Sequence, residues 1–117
     1  MEVITLYEGE IHEICFVRGT RADVDIELSN LPDAEQKKAF ALLVHVGDNG
    51  PPRNEQKCRR LKSEAGLFEL KAGRLRMPFF YRFRSIVLTH LFIKPGEKIQ
   101  QREVEYAARI RAEVERN

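Results

Sequence analysis

The stretch Arg74-Leu-Arg-Met-Pro-Phe-Phe-Tyr-Arg-Phe-Arg84 carries the densest chemistry in this sequence. Read as a strand, it points successive side chains to opposite faces. Leu75, Met77, Phe79, Tyr81 and Phe83 form an apolar face; Arg74, Arg76, Pro78, Phe80, Arg82 and Arg84 form the other. Four guanidiniums flanking a phenyl ring suit single-stranded nucleic acid, with charge for the backbone and a ring on which a base can stack. The blander reading is the wet face of an antiparallel sheet, and Phe80 is equally suited to packing under a helix. Pro78 cannot donate to a ladder, so the strand needs a bulge or an unpaired side there. Neighbouring Arg53, Lys57, Arg59, Arg60, Lys62 and Lys71 outnumber Glu55, Glu64 and Glu69 and extend the basic character.

Other chemistries find little support. Cys15 and Cys58 are far apart, with no CxxC spacing, and read as reduced packing residues. His12, His45 and His90 form no ligand pair. We expect neither a metal site nor a cofactor. His90, between Leu88 and Phe92, reads as a sheet-interior residue rather than a catalytic one.

The elements that would position the basic strand follow from periodicity. Residues 10–17 are β-branched and aromatic and predict a strand. Residues 20–31 fit both a strand, through Val24, Ile26 and Leu28, and a helix, through Val24, Leu28 and Leu31. Asn30-Leu-Pro-Asp starts a helix that runs to Gly47, followed by a turn-rich loop over 48–54. From Leu67 the period is two: strands over 67–71, 74–84 and 86–93 make a three-stranded antiparallel meander. Val104, Ala107, Ile110 and Val114 then mark the apolar stripe of a terminal helix. The expected fold is α+β: an N-terminal strand, one or two helices, the meander joined into one sheet, and a C-terminal helix.

At 117 residues and 43% hydrophobic, the chain supports one core, so a single domain over 1–117 is expected. It has no apolar run of membrane-spanning length and an acidic rather than basic start, which predicts a cytoplasmic protein without a membrane partner. The net charge of +2 conceals an asymmetry. Residues 1–52 hold four Lys/Arg and ten Asp/Glu (−6), and residues 53–117 hold sixteen and eight (+8). Such a division points to an anionic partner for the second half.

In this order the elements resemble the RelE/HigB family of toxin–antitoxin ribonucleases, in its phage-derived branch. The resemblance is carried by Leu61-Lys-Ser-Glu-Ala-Gly-Leu-Phe-Glu-Leu-Lys71, Arg74-Leu-Arg76, Ile86-Val-Leu-Thr-His-Leu-Phe-Ile-Lys94 and Glu103-Val-Glu-Tyr-Ala-Ala-Arg-Ile-Arg111. It favours helix for residues 20–31. It implies a toxin that cleaves mRNA without metal, commonly on the ribosome, and is silenced by an antitoxin that is often a helix-turn-helix protein. Arg76 matches the family's phosphate-binding arginine, and Lys98 takes the place of a catalytic basic residue. Lys57, Arg59, Arg60, Lys62, Arg74, Phe80 and Lys94 are the expected RNA contacts. Val104 stands where several members have a catalytic tyrosine, and Tyr106, two residues on, reads as a core or interface residue. The alternative is a non-catalytic module that holds RNA or another polyanion; a scaffold subunit paired with an acidic chain is a third possibility.

Overall fold

In a computed structural model, which describes residues 1–96 and 101–116, β1 (Glu2–Glu8) and β2 (Glu13–Arg18) form a hairpin. Two helices follow, α1 (Val24–Ser29) and α2 (Asp33–Asn49). Then come β3 (Cys58–Arg60), β4 (Phe68–Ala72), β5 (Leu75–Arg82), β6 (Ser85–Leu88) and β7 (Phe92–Ile93), and α3 (Gln101–Arg116) closes the chain. Among the described residues one mixed sheet runs β1-β2-β6-β5-β4-β3, with β7 pairing β5. Only the β2–β6 pair is parallel among these ladders. The fold is α+β, and the ambiguous segment is the helix α1.

Both faces of the sheet are covered, which is why its central strands lack a clean polar alternation. Ile14, Phe16, Met77, Phe79, Ile86 and Leu88 face α1 and α2, meeting Val24, Leu28, Ala39, Leu43 and Val46. Cys15, Val17, Phe80 and Val87 face α3, meeting Val104, Ala107, Ile110 and Val114. Full burial of the Phe80 ring under α3 removes it as a stacking platform and corrects the expectation of an RNA contact there. Phe83 departs in the opposite sense. Expected on the apolar face, it is 95% exposed with φ +57°, because it lies in the tight β5–β6 turn beyond the last strand residue.

Pro78 marks where the pairing of β5 with its neighbour changes. The β4–β5 register runs through it unbroken, pairing Glu69 with Pro78, so there is no bulge. On the other side, the β5–β6 ladder stops at Phe79–Leu88. Thr89 N–H still donates to the Pro78 carbonyl at 2.9 Å, but proline has no N–H to return. The chain peels away and pairs again only at Arg76–Phe92 and Leu75–Ile93 as β7. One expected strand over 86–93 is therefore two, with His90 in the gap.

Candidate functional site

Side chains directly opposite each other on paired strands share a face. The registers Lys71–Arg76, Glu69–Pro78, Arg59–Glu69 and Arg76–Phe92 thus place Arg59, Glu69, Lys71, Arg76 and Phe92 on the face that α3 covers at Phe80. Here the sheet carries charge instead of an apolar layer. Glu69 is fully buried. Its Oε1 accepts from Arg59 Nε at 3.0 Å and lies 3.7 Å from Arg76 Nε. Arg76 Nη1 donates to the Gly73 and Leu75 carbonyls at 2.6 and 3.1 Å, fixing the guanidinium at the hairpin turn. Among the described residues Arg59 Nη2 and Glu69 Oε2 have no hydrogen-bond partner.

Two lysines complete the cluster. Lys94 follows β7, its N–H donating to the Arg74 carbonyl, and is 6% exposed. Burial, reinforced by Arg59 and Arg76, holds its ammonium below the usual lysine range against the pull of Glu69. Lys71, anchored by its Nζ to the Glu55 carbonyl at 2.8 Å, is lowered by burial and by Arg59. On the opposite face of β3, against the α1 and α2 core, burial and Glu69 push the Cys58 thiol up to about 11, which keeps it protonated. Among the described residues four cationic side chains gather around the Glu69 carboxylate, a grouping suited to phosphate.

The cluster contains some of the residues expected from the sequence and omits others. Arg59 and Lys94, expected as RNA contacts, lie with Arg76, expected as the catalytic phosphate ligand. Lys71 and Glu69 were not among the expected contacts, yet they complete the group. Arg60 pairs with Phe68, whose ring packs toward α1 and α2, so strand alternation turns Arg60 to the opposite face; this corrects its expected place. Lys57, Lys62 and Arg74 are solvent-exposed outside the cluster. Lys98 lies outside the described residues. Val104, in the family's tyrosine position, is buried in the α3 core.

A second polar group adjoins the cluster along β7. His90 Nε2 donates to Glu103 Oε2 at 3.2 Å, and Thr89 Oγ1 lies 2.9 Å from His90 Nδ1. Burial draws the imidazole below the usual histidine range, with Glu103 opposing. The neutral ring then donates at Nε2 and accepts at Nδ1, one tautomer satisfying both contacts. Its plane stacks on Phe92 (5.6 Å, 23°) and meets Tyr106 edge-on (4.8 Å, 78°). Tyr106 is thus partly buried against the α3 core, carrying the Arg21 guanidinium over its ring at 4.5 Å.

Among the described residues no group of three His, Cys, Asp or Glu side chains is placed to hold a metal ion, and no helix is long and apolar enough to cross a membrane. No curated relative matches the chain in sequence. One similar solved structure is the RelB-RelE antitoxin-toxin complex from Methanococcus jannaschii. A chain of it superposes with a TM-score of 0.54 at 8% identity, covering 77% of this chain and 93% of that one. At that identity the likeness concerns the fold, which is RelE-like. The family model described as Phage derived protein Gp49-like (DUF891) matches residues 26–112, most of the sequence, and the chain belongs to that Gp49-like family.

Proposed function

We propose that this chain is the toxin of a toxin–antitoxin pair and an endoribonuclease that cleaves mRNA, on the ribosome, without a metal ion. The observation that carries this reading is the Arg59–Lys71–Arg76–Lys94 cluster around buried Glu69. In such a reaction the ribose 2′-oxygen attacks the adjacent phosphorus while the bond to the 5′-oxygen breaks. A proton leaves the 2′-hydroxyl, another reaches the 5′-oxygen, and the products are a 2′,3′-cyclic phosphate and a 5′-hydroxyl. The protein's tasks are to hold the chain in line and to stabilise the added charge on phosphorus. Arg76 is the proposed phosphate ligand. Lys94 and Lys71, held below the usual lysine range, suit proton transfer near neutrality better than an ordinary lysine. Lys98 remains a proposed catalytic base or charge donor on the strength of its place in the family pattern. An antitoxin, of the helix-turn-helix kind, is the proposed partner that masks this surface.

Induced expression should arrest growth and translation, with mRNA fragments ending in cyclic phosphate. Arg76→Ala at equal expression should lower cleavage by about 100-fold or more, the scale for losing one transition-state charge contact, and restore growth. Normal growth with intact wild-type protein would overturn the reading. The second reading, RNA binding without cleavage, is favoured by Val104 being buried where several family members carry tyrosine. RNA that is bound but stays uncut, alone and on ribosomes, would select it.

A further inference from the structure

A cavity of about 280 Å³ opens beside the cation cluster, lined by Arg21, His90, Leu91, Phe92, Glu103 and Tyr106. None of these residues is needed for the phosphate chemistry above. Its walls are aromatic: His90 stacks on Phe92 and meets Tyr106 edge-on, and the guanidiniums of Arg21 and Arg109 lie over the Tyr106 ring. Its polar groups differ in kind. Arg21 brings a cation laid over Tyr106, and Glu103 brings a carboxylate only partly exposed, one oxygen held by His90 and Oε1 4.0 Å from Arg102 Nε. An aromatic slot with one acceptor and one donor edge is how a single nucleobase is bound and read.

We propose that this cavity seats one base of the bound RNA and, through Glu103, selects a base with an exocyclic amino group. The ligand class rests on the ribonuclease reading. The location supports it independently of sequence pattern: Phe92 is the direct strand partner of Arg76, and Lys94 follows two residues later. Base slot and phosphate cluster therefore adjoin on the same sheet face. The amino groups of cytosine, adenine and guanine can donate to the Glu103 carboxylate. Uracil offers only an imino N–H flanked by two carbonyl oxygens, which the carboxylate repels. His90 is a positioning residue here, since its Nε2–H fixes the Glu103 carboxylate without reaching the base.

The test uses 2′-O-methyl hexanucleotides of C, A or U, which cannot be cleaved, bound to the full-length protein and followed by fluorescence anisotropy. C and A should bind at least about fivefold more tightly than U, the lower end expected of a base-edge contact. Glu103→Gln retains an acceptor for His90 and presents an amide donor to the base, so the preference should collapse or turn toward U. Phe92→Leu keeps apolar bulk and should weaken all three oligomers about fivefold or more through lost stacking. Arg76→Ala should weaken all three without changing their order. Equal affinities in the wild type, or an order that survives Glu103→Gln, would overturn the base slot and leave the ribonuclease reading standing. If Arg76→Ala had no effect while the order followed Glu103, the slot would stand and the phosphate assignment would fall. Failure of every oligomer to bind would overturn both.

Discussion

Glu69 is isolated from water, and burying a carboxyl group is costly unless it is paired. Arg59 and Arg76 meet it from neighbouring strands, and they in turn are held apart and oriented by it. Glu69→Gln preserves shape but leaves the guanidiniums facing each other. Breaking a buried ion pair from one side costs about 3 kcal/mol, which urea denaturation would read directly. An RNA phosphate can supply the missing negative charge, so an uncleavable oligonucleotide should raise Tm more in Glu69→Gln than in the wild type. A variant as stable as the wild type, with no larger gain from RNA, would show that Glu69 does not organise the cluster. Alternation set Arg76 among four arginines on one face of its strand, and the family resemblance singled it out. Glu69 and Lys71 were not legible, because Phe68-Glu-Leu-Lys71 has the pattern of any strand with one wet face. Only the register opposite β3 and β5 shows that these polar residues converge.

At the scale of elements, the sheet is divided between a half sealed by α3 and a half left charged, and Phe80 sits on the sealed side. Phe80→Ala should open a cavity beneath Val104, Ala107 and Ile110 at a cost of about 3–5 kcal/mol. In the fraction that remains folded, affinity for RNA should be unchanged. A variant of normal stability and reduced RNA affinity would instead make Phe80 a contact. Alternation alone assigned Phe80 to the face of the arginines, and it does lie there. What it could not convey is that one helix covers half of that face. The meander and α3 were readable because each has a strong period, and α2 from its proline start and helix formers, although Phe40 and Val44, expected beside Leu43 on its apolar side, are exposed. β1 was not recognised, and the register shift between Thr5 and Tyr7 gives a reason: Val3, Ile4, Leu6 and Tyr7 do not keep a single period of two. The parallel β2–β6 pairing joins segments some seventy residues apart, beyond any local pattern.

Across the whole molecule, the surplus of positive charge in residues 53–117 is less available than its count suggests. Arg111 pairs with Glu115, Arg116 with Glu113, and Arg18 in the acidic half binds Asp23 and Asp25. The cluster is different because, among the described residues, Arg59, Lys71, Arg76 and Lys94 gather around the buried carboxylate of Glu69. RNA affinity should therefore follow this cluster and not the net charge of +2. With about three phosphates neutralised on a single strand, log K should fall with log salt at a slope of about −2. Arg76→Ala should reduce that slope by about 0.7, one phosphate's share, whereas removing the paired Arg116 should leave it unchanged. Titrations of an uncleavable oligonucleotide between low and physiological salt measure both slopes. If the two substitutions changed the slope equally, binding would follow diffuse surface charge, and the cluster would lose its claim to be the site where the phosphates sit.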